Sequence, residues 1–338
     1  MWHVIALLAC AGVIYLACEW FVNAVEWLGA QLKVGANAVG TVLAAIGTAL
    51  PESVVTLVAA LFGSRAQGAD IAVGSAMGGP LVVGTIAYGV TGAMLLIRRR
   101  TRVPAGAGGD PLDGTDIRSL ATDQRAFLAI FVFKVGLGLF AFAWKPVLGL
   151  LFFAAYLAYF VRELRGEDDK ASVSGLEPLK LQPKRDMPSR AAVITQTLVT
   201  MAIVFVASHL FVQQLEAVGP MLGLSPVVVS LLLAPVATEL PEVLNAVIWV
   251  RQGKADLALA NISGAMMIQT TIPSGIGILL TDWHFDGPLI LAGIVTIAAV
   301  LYLLVLFRLK RVTPLGLSLT LAFYLAFAVG LAILGGAG

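Results

Sequence analysis

The sequence predicts an all-α polytopic membrane protein with ten transmembrane helices, arranged as two inverted five-helix repeats. Three observations support this class: an apolar composition, recurring apolar runs of about 20 residues, and one short motif that occurs twice, 190 residues apart. Hydrophobic residues make up 59% of the 338 positions and charged residues 12%, and the mean hydropathy is +0.92. So few polar residues could not cover a soluble globule of this size.

The apolar runs define the predicted helices, because an α-helix needs about 20 residues to cross the hydrocarbon core of a bilayer. The period-two alternation of a membrane β-barrel is absent from the sequence. The ten predicted helices lie near residues 3–28, 38–63, 70–97, 126–143, 146–162, 191–215, 224–250, 256–280, 287–307 and 313–336.

A polar, proline-containing segment divides the chain into two halves. We expect a first five-helix half at 1–162, a solvated cytoplasmic linker at 163–190 and a second half at 191–338. Within the halves, the two repeated units cover about 38–97 and about 224–280. Because each half has five helices, an odd number, the second half enters the membrane from the opposite side. This predicts an inverted repeat with a site near the membrane midplane.

The basic residues indicate orientation. Nineteen Lys and Arg residues fall on the linker side of the ten-helix arrangement, and only Arg65 and Lys145 on the other. The positive-inside rule therefore places both termini outside and the central linker in the cytoplasm. The expected location is the plasma (inner) membrane. A net charge of +2, carried in loops, gives no support for nucleic-acid binding, so membrane lipid is the expected partner. The two cysteines match no metal or disulfide spacing.

The repeated motif reads Gly-Thr-Ala-Leu-Pro-Glu at 47–52 and Ala-Thr-Glu-Leu-Pro-Glu at 237–242. Ionisable residues inside membrane segments are costly and usually mark an ion pathway or a bundle interior. In each copy the threonine and the last glutamate are four residues apart, so they share one helix face. The pairs predicted in this way are Thr48 with Glu52 and Thr238 with Glu242.

Prolines add backbone oxygens to the same place. The proline before each of these two glutamates, and Pro273 in the predicted eighth helix, cannot donate to the carbonyl four residues earlier. A freed carbonyl inside a membrane is costly unless a polar group takes it up, and a cation does so well. The carbonyls freed in this way belong to Gly47, Ala237 and Gln269.

Carboxylates, hydroxyls and carbonyls form an all-oxygen shell, which suits Ca²⁺ or Na⁺ better than zinc or copper. Glu239 lies three residues before Glu242 and can approach the same face. A proton-carrying or structural role nearby is the alternative for Glu239. The full predicted ion site comprises Glu52, Glu242, Thr48, Thr238, Glu239 and Gln269.

The two motif copies resemble the α-repeats of the calcium/cation antiporter superfamily, in particular those of sodium/calcium exchangers. The family pattern is a Gly-Thr-Ser-Leu-Pro-Glu block followed by a helix of the Gly-Asn-x-x-Gly-Ser-Asn type, and the resemblance covers essentially the whole chain. It implies that Glu52 and Glu242 match the paired calcium-binding glutamates and that Thr48 and Thr238 match the adjacent ion-binding threonines. It also implies ten helices, external termini and alternating access that couples Ca²⁺ to Na⁺ or H⁺.

Six positions depart from the family pattern, and several side chains of the sodium sites are therefore missing. Ala49 and Glu239 stand where the motif has serine. Gly79 and Ala265 stand where the following helix has serine, and four residues later Val83 and Gln269 replace a polar or acidic residue. The number of acids is kept with the third one relocated, which leaves both Na⁺ and H⁺ open as the coupling ion.

We therefore expect a secondary-active antiporter, not an enzyme, that exchanges Ca²⁺ for Na⁺ by alternating access. Ca²⁺/H⁺ exchange is the alternative, and an intramembrane enzyme with paired carboxylates is a remote one. No cofactor is expected besides the transported ions, and the oligomeric state stays open. Lys134, inside the fourth predicted helix, is expected to reach the membrane surface or to pair with a buried acid; substitution for a bound cation is the second interpretation.

Overall fold

The computed structural model describes residues 2–35, 38–62, 65–101, 112, 115–140, 144–165, 176–221 and 232–336. Some side chains within these helices lie outside the described set, and that of Glu52 is one of them. The start of the seventh predicted helix, 224–231, and the early part of the predicted linker, 166–175, also lie outside the described residues.

The described helices are labelled α1 to α13, and two π-helical turns occur among them. The first half contains α1 (Trp2–Leu32), a π-helical turn (Val39–Ala44) continued by α2 (Ala45–Phe62), α3 (Arg65–Val82), a second π-helical turn (Val83–Ala87) continued by α4 (Tyr88–Thr101), α5 (Ile117–Leu139) and α6 (Lys145–Arg165). The second half contains α7 (Arg190–Met221), α8 (Ala234–Thr238), α9 (Leu240–Gln252), α10 (Ala255–Leu280), α11 (Gly287–Arg308), α12 (Pro314–Ser318) and α13 (Leu321–Gly336). No described residue lies in a β-strand, which confirms the all-α class for this part of the chain.

Seven helical segments of the described chain are long and apolar enough to cross a membrane: Trp2–Leu32, Ala72–Arg98, Lys145–Arg165, Arg190–Phe211, Ala255–Leu280, Gly287–Arg308 and Pro314–Leu334. Length and hydropathy thus select seven of the ten predicted helices. The other three lie near 38–63, 126–143 and 224–250.

The helix α10 forms the centre of the fold, and most of its residues are buried. It packs against α2, α3, α5, α6 and α9. The first π-helical turn meets α10 at close range. A Cβ added at Gly264 would lie 2.6 Å from the Cα of Thr41, and one added at Gly40 would lie 2.7 Å from the Cβ of Ala260. Small residues permit this approach of the two backbones, as they do between other membrane helices.

The helices α1 and α7 pack along each other, and part of the predicted linker lies against α1. Asn23 and Trp27 of α1 donate hydrogen bonds to the carbonyl of Glu177, at 3.3 and 2.8 Å. Leu179 is fully buried. The described part of the predicted linker, 176–189, is therefore attached to α1 at these points, while most of its residues are exposed.

A buried ion pair ties α1 to the loop between α9 and α10. Glu26 lies 2.5 Å from the ammonium of Lys254 and accepts a hydrogen bond of 2.8 Å from the indole N–H of Trp249. Replacing Glu26 by glutamine is expected to destabilise the protein by about 1–3 kcal/mol, because Lys254 loses its charged partner while still partly buried. The thermal unfolding midpoint of the purified protein measures this.

The matched control is Glu19→Gln. Glu19 lies 3.9 Å from Lys180, and both side chains are about one third exposed, at 34% and 32%. Such a solvated pair contributes little, about 0–1 kcal/mol. A Glu26→Gln variant that melts no lower than the Glu19→Gln variant would contradict the structural role assigned to the buried pair.

Candidate cation site

The second copy of the repeated motif lies at a break between two helices. The helix α8 ends at Thr238, α9 begins at Leu240, and Glu239 between them has φ −87° and ψ 5°. These angles fall in the bridge region, outside the α-helical range. Pro241 supplies no N–H to the helical ladder at this point. The first copy, in contrast, lies within the continuous helix α2.

The break places two carboxylates in the interior. Glu239 and Glu242 are each only 1% exposed. The side-chain amide of Gln269 on α10 donates a hydrogen bond to Glu239. The α3 backbone approaches the same point, since a Cβ added at Gly79 would lie 2.8 Å from Glu239 Oε1 and 3.2 Å from Gln269 Oε1. The α8–α9 break, α10 and α3 therefore meet around Glu239.

This contact explains three of the departures from the family pattern together. Glu239 needs a hydrogen-bond donor, which Gln269 provides as an amide and an ionised acid at that position could not. It also needs space, which Gly79 provides because it lacks a Cβ. The relocated acid, the amide and the glycine thus form one local arrangement. Sequence reasoning named each of these departures, but it did not connect Gly79 to Glu239.

Each of the two threonines donates its hydroxyl hydrogen to a backbone carbonyl of the preceding helical turn. Thr48 donates to the carbonyl of Ala44 at 3.1 Å, and Thr238 donates to the carbonyl of Pro235 at 3.0 Å. A hydroxyl that donates its hydrogen in this way still presents oxygen lone pairs. Both threonines can therefore accept a cation without losing a donor bond.

The two predicted calcium-binding glutamates stand differently in the structure. Glu242 is buried in the first turn of α9, where the positive end of the helix dipole favours a carboxylate. The side chain of Glu52 lies outside the described residues, although its backbone belongs to α2. Among the residues whose side chains are described, no three His, Cys, Asp or Glu form a metal-holding group.

Two buried asparagines on the helices that carry Glu242 and Gln269 lack hydrogen-bond partners among the described residues. The side chains of Asn245 on α9 and Asn261 on α10 are completely buried, and none of their amide atoms has a hydrogen-bond partner in the described part of the chain. The same holds for Oε1 of Gln269 and for the hydroxyl of Thr270. Buried polar atoms are normally satisfied. Oxygen atoms of this kind fit a shell for a hard cation or its water.

A second polar cluster was missed by sequence reasoning. Arg162 pairs with Asp123 and, at 2.6 Å, with Glu163. Ser263 donates to Asp123 at 2.8 Å and Thr41 donates to Glu163 at 3.0 Å. The cluster joins α5, α6, α10 and the first π-helical turn. Its charges stand at predicted helix ends, where a sequence pattern assigns them to solvent.

Lys134 does not reach the membrane surface. Its side chain is completely buried, and no carboxylate among the described residues lies within 4 Å of its ammonium. The ammonium instead donates to the carbonyl of Ala76 at 2.8 Å and to the hydroxyl of Ser274 at 3.1 Å. The preferred interpretation of the sequence, a surface-seeking or acid-paired lysine, is therefore wrong for the described part of the chain.

The helices and buried oxygen groups define a multi-pass integral membrane protein with polar groups suited to a cation. The family model for the sodium/calcium exchanger protein matches residues 2–164 and 193–332 of the chain. The chain belongs to the sodium/calcium exchanger family. This confirms the predicted resemblance and makes cation antiport, and not an enzymatic reaction, the class of activity that the family supports.

Individual relatives agree with this assignment. The chain is 25% identical over 262 residues to the inner membrane protein YrbG of Escherichia coli K12, covering 73% of this chain and 70% of that protein. It is 22% identical over 272 residues to the putative antiporter CaxA of Alkalimonas amylolytica, covering 79% and 77%.

A solved structure shares the fold. The sodium-calcium exchanger NCX_Mj, soaked with 2.5 mM Na⁺ and 0.1 mM Ca²⁺, superposes with a TM-score of 0.71, covering 97% of this chain and 98% of that one. Its sequence identity to the chain is 19%. The likeness therefore establishes a common fold.

Proposed function

We propose that the chain is a secondary-active antiporter that exchanges Ca²⁺ for Na⁺ by alternating access. The observation that carries the proposal is the burial of Glu239 and Glu242 at the α8–α9 break, beside Gln269, in a chain of the exchanger family. Glu52 and Glu242 coordinate Ca²⁺ from the two halves. Thr48, Thr238 and Gln269 add oxygen ligands, and Glu239 sets the local charge.

In this proposal ten helices form two inverted halves, 1–162 and 191–338, with both termini outside and the linker 163–190 in the cytoplasm. The protein lies in the plasma or inner membrane. The repeated units, 38–97 and 224–280, bring their motifs to the membrane midplane. The packing of α10 against α2 and α3 supports this, because it joins the second repeated unit to the first.

Coupling follows from the cost of leaving acids uncompensated. An unpaired buried carboxylate carries a penalty of several kcal/mol in a low-dielectric interior. A site with several carboxylates therefore cannot change its direction of access after it has released Ca²⁺ unless other cations neutralise those carboxylates. Two or more monovalent cations must replace each Ca²⁺. Exchange, as opposed to uniport, is the consequence.

Protons are the second candidate for the coupling ion. The observation in their favour is the arrangement of Glu239, Gln269 and Gly79, which replaces oxygen-bearing side chains of the family pattern with one relocated acid. In that case Glu239 carries a proton in place of a sodium ion.

The test is ⁴⁵Ca uptake into proteoliposomes of purified protein, with an outward Na⁺ gradient, an outward H⁺ gradient, or neither. Uptake driven by Na⁺ alone is the expected result. Uptake driven by H⁺ alone would replace the first proposal with the second. No uptake under any gradient, from protein that remains folded, would exclude both.

A further inference from the structure

Lys134 is a buried basic side chain of the described residues that the exchange mechanism leaves unused. Its ammonium lies between α3 and α10, bound by the carbonyl of Ala76 and the hydroxyl of Ser274. It also lies 4.5 Å from the centre of the Phe131 ring. Two neutral oxygens and an aromatic face are ligands that hold a monovalent cation through dipoles and a quadrupole.

The carbonyl that holds the ammonium is one that a proline sets free. Pro80 lies within α3, four residues after Ala76, and it has no N–H to donate to that carbonyl. On α10, Ser274 directly follows Pro273, the other helix-interior proline of this contact. The sequence predicts the same device for the repeated motifs, in which a proline opens a carbonyl to a cation. At Ala76 the cation is a side chain of the protein.

The ammonium lies close to the exchange site along both helices. Ala76 is three residues, somewhat less than one turn, from Gly79, which contacts Glu239 and Gln269. Ser274 is five residues from Gln269, which is about 7.5 Å along a helix axis. A positive charge held at this position is therefore within about two helical turns of the residues that define the site.

We propose that the Lys134 ammonium is a tethered cation that permanently fills a monovalent-cation position between α3 and α10, and that it offsets one of the site's acids. This inference rests on the proposed function for its transport consequence. If the three acids assigned in the proposed function, Glu52, Glu239 and Glu242, are all ionised, they carry three negative charges, and a protonated Lys134 leaves a net charge of minus two. One Ca²⁺ or two monovalent cations balance that net charge, so the exchange moves no net charge across the membrane.

The first test uses the wild-type protein. Ca²⁺ uptake under an outward gradient of the coupling ion is measured while K⁺ and valinomycin impose an inside-positive or an inside-negative potential. The expected rates differ by less than about twofold, because electroneutral exchange does no work against the field. A rate that rises several-fold at inside-positive potential would mean that three monovalent cations leave per Ca²⁺, which would overturn the inference.

Two variants separate charge from space. Lys134→Ala removes the charge and leaves room for a free ion, whereas Lys134→Met keeps a side chain of similar length without charge. We expect the alanine variant to gain Na⁺-dependent and potential-sensitive uptake, because a free cation takes the place of the ammonium. We expect the methionine variant to lose uptake by about tenfold or more, since neither charge nor space is available. Ca²⁺ uptake by the Lys134→Met variant with the rate and potential dependence of the wild type would overturn the inference.

Binding can be measured without transport. With saturating Ca²⁺ present, Na⁺ in place of choline is expected to raise the unfolding midpoint of the alanine variant by at least about 2 °C. The wild type and the methionine variant should shift by less. This comparison separates the two proposals, because it holds or fails even if no gradient drives uptake. If Na⁺ shifted the unfolding midpoint equally in all three proteins, removal of the lysine would have opened no cation position, and the inference would be overturned.

Discussion

Replacing Glu242 by glutamine is expected to abolish Ca²⁺ uptake, with a fall of at least about 100-fold. The side chain is 1% exposed and stands in the first turn of α9. Glutamine keeps its size but removes one negative charge from a low-dielectric ion shell, where a charge pair at about 4 Å is worth about 4 kcal/mol. Initial ⁴⁵Ca uptake into proteoliposomes, normalised to the amount of folded protein, measures the effect. Glu52→Gln is expected to behave in the same way.

The matched control is Asp256→Asn. Asp256 is also an acid in the first turn of a helix, α10, but its side chain is exposed. Uptake by this variant should stay within about twofold of the wild type, since an exposed charge at a helix end contributes only about 0.3–1 kcal/mol. If the two substitutions reduced uptake equally, the site could not be distinguished from a general effect of negative charge.

Replacing Gly264 by alanine is expected to produce the largest loss of stability, about 3 kcal/mol. The new Cβ would lie 2.6 Å from both the Cα and the carbonyl carbon of Thr41. Backbone atoms cannot turn aside as a side-chain tip can, so α10 and the first π-helical turn must move apart. The movement would also strain the hydrogen bond of 3.0 Å from Thr41 to Glu163. A lower unfolding midpoint and a smaller yield of monodisperse protein report the effect.

Gly74→Ala controls for the loss of a glycine in a helix. A Cβ at Gly74 in α3 meets no atom within 4 Å. Helix propensity favours alanine there by about 1 kcal/mol, so this variant should be as stable as the wild type or more stable. Similar losses in both variants would disprove the close contact of α10 with the π-helical turn.

The apolar runs predicted helices that the structure describes, because membrane helices must satisfy their own backbone hydrogen bonds and bury few charges. They did not show where helices extend or break. The helix α5 begins at Ile117, nine residues before the predicted 126, because its first turns are buried by protein contacts and not by lipid. The break at Glu239 lies inside an apolar run and is set by one residue, which periodicity does not detect.

The site was predictable where its chemistry is local. The spacing of Thr238 and Glu242 and the effect of the prolines follow from helix geometry alone. The contact of Gly79 with Glu239 depends on which helices touch. The same is true of the pairing of Lys134 with Ala76, since Pro80 is an ordinary helix proline until α5 lies against it. Contacts between distant segments require the packed structure.

The break at Glu239 also bears on the kinetics of the proposed cycle. In the proposed inverted arrangement, two identical halves would give the inward-open and outward-open states equal energies, because a two-fold axis in the membrane plane would exchange them. Here one motif lies in the continuous helix α2, while the other is split between α8 and α9. We therefore expect the two arrangements to differ in energy, so that the empty carrier favours one of them and Ca²⁺ binds with different apparent affinities from the two faces of the membrane.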